Sequence, residues 1–209
     1  MTRSDSKAPG LDAVEVHGMT RSSFVLRGAL AAGAAYGASA VTPFVRDAFA
    51  ASKPTDVDIL NFALTLEYLE ADFYKAKGKS VGLSGEAKSL AAMFGDQESE
   101  HVAALMQAIK HGGGTPVKKP TFVFPGNDQA SFLKLAYLLE NTGVGAYNGA
   151  APSITNTDIL AAAGSIVQVE ARHAAAIGVL THKSVTPNGP FDVPLTKKQV
   201  LAKAGPLIK

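Results

Sequence analysis

Two short segments of this chain carry the same pair of side chains at the same spacing: Glu98-Ser99-Glu100-His101 and Glu170-Ala171-Arg172-His173. On a helix, a glutamate three residues ahead of a histidine puts a carboxylate and an imidazole on one face, one turn apart. With eight glutamates and five histidines in 209 positions, random placement yields about 0.2 such pairs. A matched couple is therefore a signal where a single one is not. The chemistry it offers is metal ligation; the plainer alternative is a set of buried salt bridges or solvated surface pairs.

Two further glutamates join them. Glu67 falls on the apolar stripe between Ala63 and Tyr74, and Glu140 on the stripe of Ala136 and Tyr147, so both acids are expected to point inward. Glu67 precedes Glu98 by 31 positions and Glu140 precedes Glu170 by 30, and a tyrosine follows each lone glutamate by seven. The two halves read as a duplicated helical hairpin. Four carboxylates in an apolar core are strongly disfavoured without compensating positive charge, and two divalent cations supply it. Mixed carboxylate and imidazole donors suit iron, then manganese, better than calcium, magnesium or zinc. Cysteine is absent, which excludes disulfides, thiol catalysis, iron–sulfur clusters and zinc-thiolate sites.

Around these six residues some readings stay open. Tyr74 and Tyr147 either hydrogen-bond the ligand carboxylates or simply fill the core. Glu70 lies one turn beyond Glu67 on nearly the same face, with Gly143 as its counterpart in the second half; it is an extra ligand or an exposed residue. Gly143, Gly145 and Gly149 permit close helix approach, although glycine is also simply tolerated within helices.

Four amphipathic helices are expected to position these side chains. The first runs from about Asp56 to Lys77, after a cap at Thr55 or Asp56. The second starts near Ser84 and is stopped by Gly112-Gly113-Gly114 and Pro116. The third spans about Asp128 to Tyr147, and the fourth runs from a cap at Asn156 or Thr157 to near His182. The links within each pair are short, so each pair should be an antiparallel hairpin; the middle link, roughly 113–127, is long enough to cross the bundle. After residue 184 the tail is proline-containing, extended over Pro190 to Pro194, with a short helix from Thr196 to Ala204.

One glutamate from each of two helices and Glu-x-x-His from each of the other two resembles the ferritin-like carboxylate proteins. The resemblance covers residues 55–183. The segment Leu60-Asn61-Phe62-Ala63-Leu64 through Glu67-Tyr68-Leu69-Glu70 is similar to exported ferritin-like domains of the desiccation-related group. It implies an all-α fold: a ferritin-like four-helix bundle with a long crossover between helices 2 and 3, plus a short C-terminal helix. It also implies that Glu98 and Glu170 bridge two metal ions, that Glu67 and Glu140 each hold one terminally, and that His101 and His173 each supply a nitrogen. Two iron ions, oxidation of ferrous iron and reduction of oxygen or peroxide follow as the expected cofactor and activity. Two alternatives stand beside them: a manganese pair with catalase-like turnover, and a stress-protective structural protein stabilised by metal without turnover.

The first fifty residues differ in character. A polar start with Arg3, Arg21 and Arg27 precedes the small apolar run from Gly28 to Val41. Thr20-Arg21-Ser22-Ser23-Phe24-Val25-Leu26-Arg27 resembles a twin-arginine export signal, with Ser22 where the second arginine belongs, and Ala48-Phe49-Ala50 offers a cleavage site. The domain reading is an export leader over 1–50, the bundle over 51–183 and the tail over 184–209; an uncleaved anchor or a cytoplasmic alanine-rich helix are the competing readings of the leader. An exported location follows, periplasmic, envelope-bound or secreted. With 20 basic against 18 acidic residues scattered along the chain, no nucleic-acid partner is expected. The expected partners are metal ions and oxygen or peroxide, with a membrane met only through the leader and a homodimer left open.

Overall fold

All but one of the five helices described below begin where a short polar side chain satisfies orphan N–H groups of the first turn; the exception is the second, whose Ser84 makes no capping hydrogen bond. In the computed structural model, which describes residues 55–209, Thr55 caps α1 (Asp56–Asp72) in a reciprocal box: its hydroxyl accepts from the Asp58 amide and the Asp58 carboxylate accepts from the Thr55 amide. Ser84 in extended conformation precedes α2 (Gly85–His111). Asp128 and Ser131 form a second box at the start of α3 (Gln129–Ala150). Asn156 accepts from the amides of Asp158 and Ile159 to open α4 (Thr157–Leu180), and Thr196 with Gln199 caps α5 (Lys197–Ala204). Gly112 closes α2, and Gly113 follows it at φ 76°, the left-handed region that glycine enters without strain. The export signal and cleavage residues read from the sequence lie outside the described residues.

The first helix departs from expectation at its end. It does not stop at Lys77 but passes through a π-helical turn (Phe73–Lys77) and runs on over Gly78–Ser80. A wide turn of this kind shifts the helical register by part of a turn. It places Phe73 and Tyr74 in the core, where Tyr74 meets Phe94 edge-on at 5.6 Å and Phe73 stacks on Phe132 at 4.4 Å.

α1 packs along α2 and α3 along α4, two helical hairpins laid side by side. The crossover from 112 to 128 follows α1: Asn61 donates to the Thr115 carbonyl and accepts from the Val117 amide, Lys119 pairs with Asp72, and Phe124 meets Phe73 edge-on. Its far end is tied to the chain terminus by the bridge between Phe122 and Ile208, an isolated pairing; no strand forms among the described residues. The tail runs over α3, where the Leu195 amide donates to the Gly145 carbonyl at 2.8 Å. A Cβ at Gly149 would stand 1.9 Å from the Leu195 carbonyl oxygen, so only glycine lets the tail lie so close. No described helix is long and apolar enough to cross a membrane.

The interior is divided. One apolar cluster gathers Leu66, Leu69, Phe73, Phe94, Phe132 and Ile177; another gathers Leu60, Leu64, Leu105, Ile109, Ala163 and Ile166. Each of the four long helices contributes to both clusters, α3 to the second through Tyr147, and carries a glutamate near where it passes from one to the other. A polar layer is thereby enclosed between two apolar ones.

Candidate metal centre

The polar layer is formed by Glu67 of α1, Glu98 and His101 of α2, Glu140 of α3, and Glu170 and His173 of α4. All four glutamates are 0% exposed and His173 is 2% exposed. Their donor atoms fall into two groups, each with its atoms within 4.8 Å of one another: Glu67, Glu98, His101 and Glu170 in one, and Glu98, Glu140, Glu170 and His173 in the other. The groups share Glu98 and Glu170. The two oxygens of Glu98 face opposite ways, Oε2 at 3.0 Å from His101 Nδ1 and Oε1 at 2.9 Å from His173 Nδ1. All six residues singled out in the sequence are thus in one place.

Both tyrosines reach the layer, and they cross. Tyr74, in the π-turn after α1, donates its hydroxyl to Glu140 of α3; Tyr147 of α3 donates to Oε1 of Glu67 on α1 at 2.5 Å. Glu70 is not exposed: it is buried at 3% exposure, outside both donor groups, with Oε2 unpartnered. It occupies room left by Gly143, where a Cβ would approach Glu70 Oε1 to 3.4 Å and Glu170 Oε2 to 2.9 Å.

One residue the sequence did not mark is Gln97. Its Oε1 lies 2.7 Å from His173 Nε2, and the same imidazole stacks on Phe94 with ring centres 3.9 Å apart. The contact joins residues 76 positions apart on different helices, a pairing that no local spacing announces.

Electrostatics set the protonation of the layer. Burial, then the neighbouring Glu170 charge, pushes Glu67 well above the usual carboxylate range; burial also raises Glu140. Glu170 is pushed up to about 8 by burial and the Glu98 charge. Burial works against an ionised Glu98 too, but His101 and His173 outweigh it and hold it down at about 2. Burial likewise opposes charged imidazoles, yet the carboxylates beside them win: His101 is pushed up to about 12, chiefly by Glu170, Glu67 and Glu98, and His173 to about 10 by Glu140 and Glu98. Burial and the facing glutamates keep Tyr74 and Tyr147 protonated, as donors. Two imidazolium ions are the positive charge that makes the carboxylate layer tolerable.

That compensation is incomplete. Glu98 Oε1, Glu140 Oε2, both oxygens of Glu170 and His173 Nδ1 are buried without a hydrogen-bond partner, although His173 Nδ1 stands 2.9 Å and 3.3 Å from Glu98 Oε1 and Glu140 Oε2. The atoms are close enough to bond but are not aligned to do so. Orphaned buried donors and acceptors of this number are costly. Their residues, Glu98, Glu140, Glu170 and His173, make up one of the two donor groups, where a cation would satisfy them together. Oxygen and imidazole nitrogen donors without sulfur are a set that iron or manganese takes, so the residues present suit a bound metal.

The sequence model of the family described as "Ferritin-like domain" matches residues 55–183, more than half of the chain. No curated protein matches the chain.

Proposed function

This chain belongs to the ferritin-like domain family, and from that premise we propose that it binds two metal ions, iron before manganese, and oxidises ferrous iron or reduces oxygen or peroxide with them. The observation that carries the reading is the pair of donor groups sharing Glu98 and Glu170, lined by buried atoms that make no hydrogen bond. Glu67, Glu98, His101 and Glu170 would hold one ion, and Glu98, Glu140, Glu170 and His173 the other. When bound, a pair of iron ions supplies the electrons for oxygen or peroxide chemistry, which protein side chains alone do not.

The chain's own residues prepare that chemistry. The Tyr74 and Tyr147 hydroxyls fix Glu140 and Glu67 by one oxygen each and leave the other oxygen to ligate. The two apolar clusters above and below keep bulk water from the layer. His101, with 13% of its side chain exposed, is the one ligand with an edge toward solvent and marks where a small oxidant enters. Export of the protein is part of the same proposal and is supported by the leader's residues alone.

The test is metal analysis of the purified chain, with ultraviolet absorbance followed as ferrous iron is added in air, for the wild type and a Glu98→Ala, Glu170→Ala double variant. Two irons per chain and rapid oxidation lost in the variant are expected. Metal bound without turnover would replace the redox reading by a structural one, and no metal at all would overturn the site.

A further inference from the structure

The two halves of the centre repeat each other in their ligands but not in what stands behind the histidines. His173 is held on its outer side twice, by Gln97 Oε1 at 2.7 Å from Nε2 and by the face of Phe94 at 3.9 Å. In the pseudosymmetric register that superposes Glu98 on Glu170, Gln97 corresponds to Val169 and Phe94 to Ile166. Neither side chain can accept a hydrogen bond. His101 accordingly makes its polar contacts through Nδ1 alone among the described residues, to Glu67, Glu98 and Glu170, and its side chain is 13% exposed against 2% for His173.

From this difference we infer that Gln97 is a positioning residue that makes the two metal positions unequal: the position built by Glu98, Glu140, Glu170 and His173 fills first and holds its ion, while the one containing His101 fills second and exchanges. The inference rests on the dinuclear reading above and deepens it. An imidazole that ligates through Nδ1 must carry its proton on Nε2, and a carboxamide oxygen at 2.7 Å selects that tautomer and fixes the ring plane. Fixing the ring in advance removes the ordering cost that His101, without such a partner, meets on binding. Phe94 blocks the other freedom, rotation of the ring out of the layer. An outer-sphere hydrogen bond of this type changes metal affinity by about 10- to 100-fold, enough to separate two otherwise similar steps in a titration.

Cobalt(II), which takes the same oxygen and nitrogen donors and reports through its absorbance and its paramagnetically shifted proton spectrum, is the probe. Titrated into the full chain, it should bind in two steps. The first should bring out one slowly exchanging imidazole N–H resonance, assigned to His173 by its Overhauser contact with the Phe94 ring. In Gln97→Val the first step should weaken by about 10- to 100-fold and the resonance should vanish into solvent exchange. Gln97→Glu, which keeps an acceptor on Nε2, should retain both. Two equal steps in the wild type, a protected resonance from His101 instead, or a Gln97→Val titration identical to wild type would overturn the inference. The wild-type spectrum decides even if the valine variant does not fold, and a wild type that takes up no cobalt would overturn the dinuclear reading itself.

Discussion

Each tyrosine hydroxyl is the sole hydrogen-bond donor seen on one oxygen of a buried glutamate, so its removal strands that oxygen. Tyr74→Phe and Tyr147→Phe should each lower stability by about 1–3 kcal/mol in chemical denaturation and weaken metal binding by about tenfold or more, with helicity unchanged by circular dichroism. Either variant at wild-type affinity would mean the glutamates are held by packing alone. At this scale much of the layer was legible: matched Glu-x-x-His pairs and glutamates on apolar stripes point to the six residues from their spacing alone. Tyr74 and Tyr147 left two readings in the sequence, and the structure places both hydroxyls on glutamates. Glu70 could not be resolved, because its burial depends on the room left by Gly143, 73 positions away on another helix. Gln97 was invisible for the same reason, since its partner is chosen by how the hairpins dock.

Helix starts were readable because capping is local chemistry: Thr55, Asp128, Asn156 and Thr196 each sit within three residues of the amides they satisfy. The π-turn at Phe73–Lys77 was not, because widening one turn of a helix has no composition of its own and is settled by where Phe73 and Tyr74 find room. The tail's course was equally hidden. Its contact with α3 depends on Gly145 and Gly149, and glycine within a helix admits several explanations. Gly149→Ala isolates this contact. Alanine favours a helix over glycine by about 1 kcal/mol, but its Cβ would overlap the Leu195 carbonyl, and such overpacking costs about 1–3 kcal/mol. The tail should lift off: limited proteolysis between 184 and 195 should accelerate while the helices stay intact. An unchanged digestion rate would show that the tail is anchored elsewhere.

For the molecule as a whole, the enclosed charge layer links stability to pH, and differently in the two metal states. His101 and His173 have folded values above the ordinary 6.5, at about 12 and about 10. Their contribution is complete below pH 6.5 and lost as the pH rises through those values. Glu170, raised to about 8 from 4.5, is disfavoured in the folded state over that rise and acts in the same direction. Glu98, held at about 2, opposes them only in acid, where its contribution disappears as the pH falls below 4.5. The metal-free protein should therefore lose thermal stability from pH 6 to pH 8. Metal must displace the protons on the imidazoles and on Glu170, so its affinity should rise over the same interval. The difference in Tm between manganese-loaded and metal-free protein, measured at pH 6, 7 and 8, should widen; a constant difference would mean that the ligands shed no protons.

The crossed tyrosines carry a further consequence. Half of the centre is a single hairpin with a glutamate, a tyrosine seven residues on and a Glu-x-x-His, and each half borrows the other's hydroxyl. Two identical hairpins related by a twofold axis would complete the same exchange, as any isologous pair must. Such a pair, however, is bound by its symmetry operator: a glutamine behind one histidine appears behind both. Joining the copies through a 112–128 connection lifts that constraint, and Gln97 where the other half has Val169, like Glu70 where it has Gly143, is a difference that two identical hairpins cannot carry.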